Sequence, residues 1–397
     1  MKSWHRCVGL VVLLTAATVR AESPGGRTPW AVKPDLASEP VLDKPIDPSG
    51  VVQLRSTRVV TPSYSGRFIA LDPQIPGQKM QGEWWQVYDL KNLKPVGPAF
   101  TAPANLGNPH ILSPNGAHLA NRSKDTHGTI DVWDCKTGKL ARNIEVTDGS
   151  ENRYASPADF AGPNRLLTKC HETLFPLAEA QTLYQVWDLA TGKELSHFNV
   201  GLVWSCKWAT ISPGGRYLVM ELTEKRSYRL LAWDLATGQS AGEADFQGKD
   251  EPWGQACGVV FSPDAKLLAI VWRLGRKDIW GRVFVFDVVQ GRQVASLPLD
   301  YTMKSIGLGL DLGDRPALQW TPDGERWLMV GHLLMDARTG AVTGRIGTEP
   351  RSGAVWTVQR RNFVGPNFVT EVVEHGFDRK LTYVAVPTRA QTLGSTP

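Results

Sequence analysis

Arginine, lysine and tryptophan concentrate in a few polar segments that separate the apolar runs of this chain. The segment 273–282 contains Arg273, Arg276, Lys277 and Trp280. Arginine and tryptophan are enriched where proteins bind one another, so the segment predicts noncovalent recognition of a partner. The alternative is a solvated hairpin tip whose tryptophan packs on its own strand.

Other candidate contact residues lie in similar segments between apolar runs. They are Arg153, Tyr154, Trp204, Trp253, Asp311 and Asp314. The two aspartates flank a glycine in a glycine-containing stretch, but a calcium loop needs more carboxylates at closer, regular spacing. No helical pattern follows these glycines, so a phosphate-binding loop is not predicted either. We therefore predict no metal and no cofactor.

Motifs for catalysis are missing from the sequence. There is no Gly-x-Ser-x-Gly elbow and no His-Glu-x-x-His pair, since the dipeptide His171-Glu172 lacks its second histidine. The remaining histidines show no spacing typical of a metal cluster. A triad assembled from distant loops stays open, because triads are recognised by geometry rather than by sequence position.

A repeated motif must position these segments. Residues 186–193 read Val-Trp-Asp-Leu-Ala-Thr-Gly-Lys, and close copies occupy 132–139 and 232–239. Weaker copies bring the number of repeated aspartates to six, with gaps of 45 to 54 residues, at positions 89, 134, 188, 234, 287 and 336. A period of this size indicates one supersecondary unit used repeatedly. The aspartate is expected to accept local backbone N–H groups, and the glycine to supply a positive φ.

A second turn precedes each aspartate. Its clearest copies are 113–116 (Ser-Pro-Asn-Gly), 212–215 (Ser-Pro-Gly-Gly) and 262–265 (Ser-Pro-Asp-Ala), and each is followed by an apolar run of strand length. Proline sets φ at the second turn position. Each unit therefore predicts four short antiparallel strands, which must pack on neighbouring copies to bury both faces.

These two motifs together resemble WD40 repeats. The resemblance covers six units over roughly residues 57–345, and residues 354–386 read as a degenerate seventh. It implies an all-β, seven-bladed β-propeller of four-stranded antiparallel blades. The last unit lacks an outer strand, which the segment 51–54 is expected to supply, so that an N-terminal strand closes the ring. The residues expected to be structural in the repeats are Trp133, Asp134, Trp187, Asp188, Trp233, Asp234, Phe286, Asp287 and Asp336.

The chain ends predict export from the cytoplasm. Residues 1–21 combine a basic start, a short apolar run and a small-residue cleavage site, which is typical of a signal peptide; a retained anchor is the alternative. Residues 22–50 are rich in proline and predict a stiff, extended linker before the propeller at 51–387, and 388–397 a disordered tail. We expect a periplasmic or extracellular protein that is not transmembrane after cleavage.

Charge and cysteine content limit the function classes. The net charge of +5 falls to +2 without Lys2, Arg6 and Arg20, which is no footprint for nucleic acid. Four cysteines follow the signal, with no metal or redox spacing. Cys170 and Cys206 form the first pair to test for a disulfide, and four buried thiols are the alternative.

The sequence favours a non-catalytic interaction scaffold that presents a propeller face to a protein or peptide. One alternative is an exported enzyme or small-molecule binder, hydrolase-, lactonase- or quinoprotein-like, that uses loops at the channel mouth. The Thr-Gly-Lys turns resemble those of quinone-dependent propellers but lack the tryptophan three residues after lysine. A regulatory or sensor subunit of an envelope system is a further possibility.

Overall fold

Two turns recur among the described blades of the structure, a computed structural model. At the first turn, Gly116 and Gly215 have φ of 67° and 80°, and Ala265 takes the same region at 55°. At the second, Asp134 Oδ1 accepts the N–H groups of Lys136 and Thr137, each at 2.8 Å. The hydrogen bonds expected at this aspartate are therefore present, and they reverse the chain between antiparallel strands.

The structure describes 19 segments of the chain. They are residues 28–37, 52–60, 67–74, 84–92, 94–103, 110–126, 128–146, 153–172, 182–200, 208–224, 227–245, 254–274, 280–299, 318–321, 327–330, 333–345, 356–364, 368–375 and 378–385.

These segments contain strands and no helix. The first are β1 (Val52–Val60), β2 (Phe68–Pro73), β3 (Trp84–Asp89), β4 (Lys94–Pro95) and β5 (Phe100–Thr101). The next blade has β6 (Ile111–Leu112), β7 (His118–Arg122), β8 (Thr129–Asp134) and β9 (Lys139–Glu145). It is followed by β10 (Arg153–Phe160), β11 (Arg165–Glu172), β12 (Thr182–Asp188) and β13 (Glu194–Val200).

The second half of the chain repeats this pattern. One blade has β14 (Ala209–Ile211), β15 (Tyr217–Glu224), β16 (Ser227–Asp234) and β17 (Gln239–Asp245). Another has β18 (Gly254–Phe261), β19 (Leu267–Leu274), β20 (Trp280–Asp287) and β21 (Arg292–Leu299). The remaining strands are β22 (Leu318–Trp320), β23 (Trp327–Val330), β24 (Leu333–Asp336), β25 (Val342–Arg345), β26 (Trp356–Val364), β27 (Phe368–His375) and β28 (Asp378–Ala385).

The protein is an all-β propeller with four-stranded blades, but the expected number of seven blades is wrong. Among the described residues there are six sheets, five of four strands and one of eight. The cause is β1, which pairs with β2 on one side and with β28 on the other. Because β1 lies between them, the first and last units form one sheet instead of two blades. The expected pairing of the early segment with the last unit is present, with Val52 opposite Leu381 and Leu54 opposite Arg379.

The hydrophobic core lies between successive sheets rather than at one centre. One cluster joins strands β14–β17 to β18–β21 through Val219, Leu230, Leu268 and Trp272. Further clusters lie between other neighbouring sheets along the chain. The four sheets β6–β9, β10–β13, β14–β17 and β18–β21 are therefore covered on both faces by their neighbours, as repeat stacking requires.

Residues 28–37, hereafter the N-terminal strap, pack on this propeller although they form neither helix nor strand. The Ala31 N–H donates to Ala241 O at 2.8 Å, and the buried Val32 joins the core cluster of the two sheets β14–β17 and β18–β21. The proline-rich composition predicts an extended linker here, and this contact is not part of that prediction.

Candidate functional site

Strand register places several predicted contact residues at one end of the blades. The first residue of β10, Arg153, lies opposite Glu172, the last residue of β11. Likewise Arg273, near the end of β19, lies opposite Gly281 of β20, and Trp280 opposite Leu274. Because neighbouring strands are antiparallel, these positions share the edge that carries the long connections. We call this edge the loop-bearing end, and the opposite edge, with the two short turns, the turn-bearing end.

A cation stacked on an aromatic ring lies at the loop-bearing end. The guanidinium carbon of Arg122, the last residue of β7, is 5.4 Å from the ring centroid of Tyr154 in the next blade. Such contacts attract through the charge and the ring quadrupole. Within the described residues no carboxylate pairs with Arg122, and its buried Nε has no hydrogen-bond partner. Burial lowers the pKa of Arg122 and Tyr154 opposes this shift, so the group is a partly desolvated cation.

Arg122 belongs to a set of charged residues at one register position. In each sheet, one residue of the second strand lies opposite the repeat aromatic of the third strand. The charged residue lies three positions after it on the second strand. These facing pairs are Ile69 and Tyr88, Leu119 and Trp133, Leu166 and Trp187, and Leu218 and Trp233.

Four successive sheets carry Asp72, Arg122, Lys169 and Glu221 at this position. Asp72 and Glu221 are 4% and 1% exposed, whereas Arg122 and Lys169 are half-buried. Arg55 Nε lies 3.8 Å from Asp72 Oδ1. No motif in the sequence singles out these charges, although aligning the second strands of the repeat units would have found them. They bring both charge signs into the wall of the propeller near the loop-bearing end.

A buried carboxylate lies on the strand next to Arg122. Asp131 of β8 is opposite Asn121, and its Oδ1 accepts a hydrogen bond from Asn143 Nδ2 at 2.7 Å. Burial raises the pKa of Asp131, while bonds from Asn143 and Ser123 oppose this and Asp125 adds to it. No group of three His, Cys, Asp or Glu residues able to hold a metal occurs among the residues that the structure describes.

The repeat aromatics have structural contacts. The Trp133 indole N–H donates to Asn121 Oδ1 at 2.9 Å, and the Trp187 indole N–H donates to Thr168 Oγ1 at 2.9 Å. The remaining two take apolar contacts: Trp233 stacks on Phe198 with centroids 5.2 Å apart, and Phe286 is fully buried.

The repeat aspartates lie at the turn-bearing end. Besides Asp134, Oδ1 of each accepts a local backbone N–H: Asp188 from Thr191, Asp234 from Ala236, Asp287 from Gln290 and Asp336 from Arg338. Thr191 also donates its hydroxyl to Asp188 at 2.8 Å, and these bonds lower the pKa of Asp188.

Several predicted contact residues are not placed. Trp204, Trp253, Arg276, Lys277, Asp311 and Asp314 lie outside the described residues, as do the side chains of Arg153, Arg273 and Trp280. Cys206 lies outside as well, whereas Cys135 and Cys170 are buried. Burial raises the pKa of the Cys135 thiol, which makes it a weak nucleophile. Across the described segments, no helix is long and apolar enough to cross a bilayer.

Similarity to known proteins is found among solved structures. No sequence-family model matches the chain, and no curated protein matches it. The Dos1 propeller is 16% identical with a TM-score of 0.47, covering 80% of this chain and 76% of that one. The WD40 domain of Toxoplasma gondii coronin is 13% identical with a TM-score of 0.49, covering 92% and 90%.

An enzyme is among these structures too. The dihydro-heme d1 dehydrogenase NirN is 15% identical with a TM-score of 0.47, covering 90% of this chain and 77% of that one. The similar structures thus include both WD40 proteins and enzymes, and they do not determine a function.

Proposed function

We propose that this protein is a divergent WD40-type interaction scaffold that binds a protein or peptide partner at its loop-bearing end, outside the cytoplasm. The observation that carries the proposal is the pair Arg122 and Tyr154. It spans two blades, and the cation has no carboxylate partner among the described residues.

The chemistry of this pair favours an acidic segment of the partner. A desolvated guanidinium gains most from a carboxylate that accepts two of its N–H groups. The Tyr154 ring holds the guanidinium, so less side-chain entropy is lost on binding. Tyrosine and arginine at the centre of an interface also match the composition of binding hot spots.

The predicted loop residues would extend this contact. Register places Arg153 directly before Tyr154, and places Arg273 and Trp280 at the same end of a more distant blade. Arg276 and Lys277 belong to the connection between those two strands. A partner that spans these blades would meet cations and aromatics at both contact points.

The sequence pattern of residues 1–21 supports the proposed location. The basic start, apolar run and cleavage pattern of residues 1–21 are those of a signal peptide. We therefore place the partner in the periplasm or outside the cell.

The test is affinity capture from the envelope of the producing cell. The full chain is compared with Arg122→Gln, with Tyr154→Ala, and with the triple variant Arg276→Ala, Trp280→Ala and Trp253→Ala. Arg292→Gln is the matched control, because Arg292 is exposed at the turn-bearing end, where its Nε bonds to Gln290. We expect Arg122→Gln to weaken partner binding about tenfold or more, as for a hot-spot residue. Equal recovery with Arg122→Gln and Arg292→Gln would contradict the proposed site.

A further inference from the structure

The N-terminal strap occupies a groove at the turn-bearing end that is built like a peptide-binding site. Its backbone pairs with the outermost strand of one blade: Ala31 N–H donates to Ala241 O at 2.8 Å, and Glu243 N–H donates to Thr28 O at 3.0 Å. An outer strand exposes unpaired backbone groups, and an added segment satisfies them. This is the hydrogen bonding by which many domains take up an extended peptide.

A tryptophan anchors the strap in the neighbouring blade. The Trp30 indole N–H donates to Val288 O at 2.6 Å, and its ring meets Phe286 edge-on with centroids 5.3 Å apart. Gly291, with a φ of 64°, lies against the ring, and a β-carbon there would come within 2.9 Å of Trp30. Gly242 likewise leaves room for the backbone of Pro29 and Trp30. The surface is therefore shaped for an indole and an extended backbone.

An aspartate of the strap completes a turn of the propeller. In two other blades the third residue of the Ser-Pro turn bonds the turn serine. Ser113 Oγ donates to Asn115 Oδ1 at 2.9 Å, and Ser262 Oγ donates to Asp264 Oδ1 at 2.6 Å. The same oxygens accept the N–H two residues further on, at 3.1 Å in each case.

The equivalent turn residue in the strap-bearing blade is Gly214, which has no side chain to do this. Asp35 Oδ2 takes over both bonds, from Ser212 Oγ at 2.6 Å and from the Arg216 N–H at 2.8 Å. The Gly214 N–H adds a bond to Asp35 O at 2.9 Å. A β-carbon added at Gly214 would overlap the Asp35 carboxylate. The turn 212–215 thus lacks a side-chain acceptor of its own, and Asp35 of the strap supplies one.

We propose that this groove is a peptide-binding site for an extended segment with tryptophan and, five residues later, aspartate, and that a second copy of this chain supplies that segment in trans when a groove has lost its own strap. Every copy carries both the groove and a matching strap, so the two surfaces are complementary by construction. The strap precedes the propeller and is joined to β1 by residues 38–51, which reach at most about 50 Å when extended. Exchange of such an element between identical chains is a low-cost route to a dimer.

Attachment in the same chain makes the internal strap the preferred occupant. A tethered segment acts at an effective concentration in the millimolar range, which a second chain cannot match in dilute solution. We therefore expect that wild-type chains do not exchange their straps and form no dimer through this groove. A strap from a second copy binds when a groove has lost its own strap. This inference is independent of the proposed function, because it concerns the opposite end of the blades.

The first test uses a synthetic peptide of residues 28–37 and full-length variants. In Trp30→Ala with Asp35→Ala, the chain's own strap is disabled and the groove is open, so we expect calorimetry to show binding of one peptide. Wild type, whose groove is occupied, should bind it at least tenfold more weakly. Adding Gly214→Asp to the strap-disabled chain places a carboxylate where Asp35 of the strap binds, and should weaken peptide binding at least tenfold. A peptide with Asp35→Ala should also bind at least tenfold more weakly.

Several results would overturn the site. The proposed site is wrong if the folded, strap-disabled chain does not bind the peptide. It is also wrong if Gly214→Asp leaves peptide binding unchanged. If the double variant does not fold, Asp35→Ala alone is used. It keeps the Trp30 anchor and should still bind the peptide more tightly than wild type does.

The second test asks whether a second chain supplies the segment. A Gly214→Asp chain keeps an intact strap, but its own residue 214 occupies the position of the Asp35 carboxylate. This chain is mixed with the strap-disabled chain. Light scattering after gel filtration should show a 1:1 complex that neither chain forms alone. Peptide binding without this complex would retain the groove and overturn the second copy as its occupant.

Discussion

The carboxylate of Asp35 occupies the position that a side chain at Gly214 would take in the turn 212–215. It receives the Ser212 hydroxyl at 2.6 Å and the Arg216 N–H at 2.8 Å, bonds that Asp264 makes within its own turn in the next blade. A residue before the propeller therefore completes a repeat some 180 positions later in the chain. The strap therefore contributes hydrogen bonds to the propeller.

Replacing Asp35 should destabilise the protein only where residue 214 is glycine. Asp35→Ala leaves the Ser212 hydroxyl and the Arg216 N–H without their acceptor, which costs about 1–3 kcal/mol. Gly214→Asp supplies the acceptor locally, and residue 214 does not adopt the left-handed conformation that favours glycine. Urea unfolding of both single variants and the double variant measures the coupling. Additive free energies would show that the two positions are independent.

The Trp30 anchor should separate into a hydrogen bond and an apolar contact. Trp30→Phe keeps a ring against Phe286 but loses the bond to Val288 O, for an expected loss of about 1 kcal/mol. Trp30→Ala also loses the ring contact, for about 2 kcal/mol in total. Thermal unfolding of the full chain measures both losses, and equal losses would mean that the ring contributes nothing.

The polar partner of Trp133 should matter to stability. Asn121 accepts the indole N–H and donates to Pro103 O, both at 2.9 Å. Asn121→Leu leaves these buried groups unpaired and should cost about 2 kcal/mol in urea unfolding. The control is Met220→Leu at the equivalent position, where the residue is already apolar, with an expected loss below about 1.5 kcal/mol. A larger loss in the control would contradict the assigned role of Asn121.

Acid should destabilise the fold through His118. Burial lowers the pKa of His118, against an opposing effect of Asp134, and its buried Nδ1 has no hydrogen-bond partner. Unfolded histidine titrates near its ordinary value of about 6.5, so the unfolded chain takes up the proton first as the pH falls. The contribution of His118 to stability is thus present above that value and is lost as the pH drops through it towards the lower folded value. His118→Phe should lose less stability than wild type between pH 7.5 and 5.5 (urea midpoints), and parallel losses would exclude His118.

Local turn chemistry could be predicted from sequence because it depends on residues close together in the chain. The bonds of Asp134 and the positive φ of Gly138 follow from such a motif. The number of blades could not be predicted, because it depends on β1 pairing on both sides, which no repeat encodes. The signal for the strap was present but weak. Gly214 stands where two other turns have asparagine or aspartate, and this missing acceptor has its partner far away in Asp35.

The candidate site was predictable only in part. Arg153 and Tyr154 were found from their residue types, and register places them at the loop-bearing end. Arg122 was missed, because an arginine at a strand end has no local motif and gains meaning only from its contact with the next blade.

Photo-crosslinking in the producing cell tests the central proposal most directly. A photoreactive phenylalanine is placed at Tyr154, at the loop-bearing end, or at the exposed Thr191, at the turn-bearing end. The proposal predicts a discrete adduct with another protein from position 154, reduced by Arg122→Gln, and none of that mass from position 191. An adduct of that mass from position 191 and none from position 154 would contradict it.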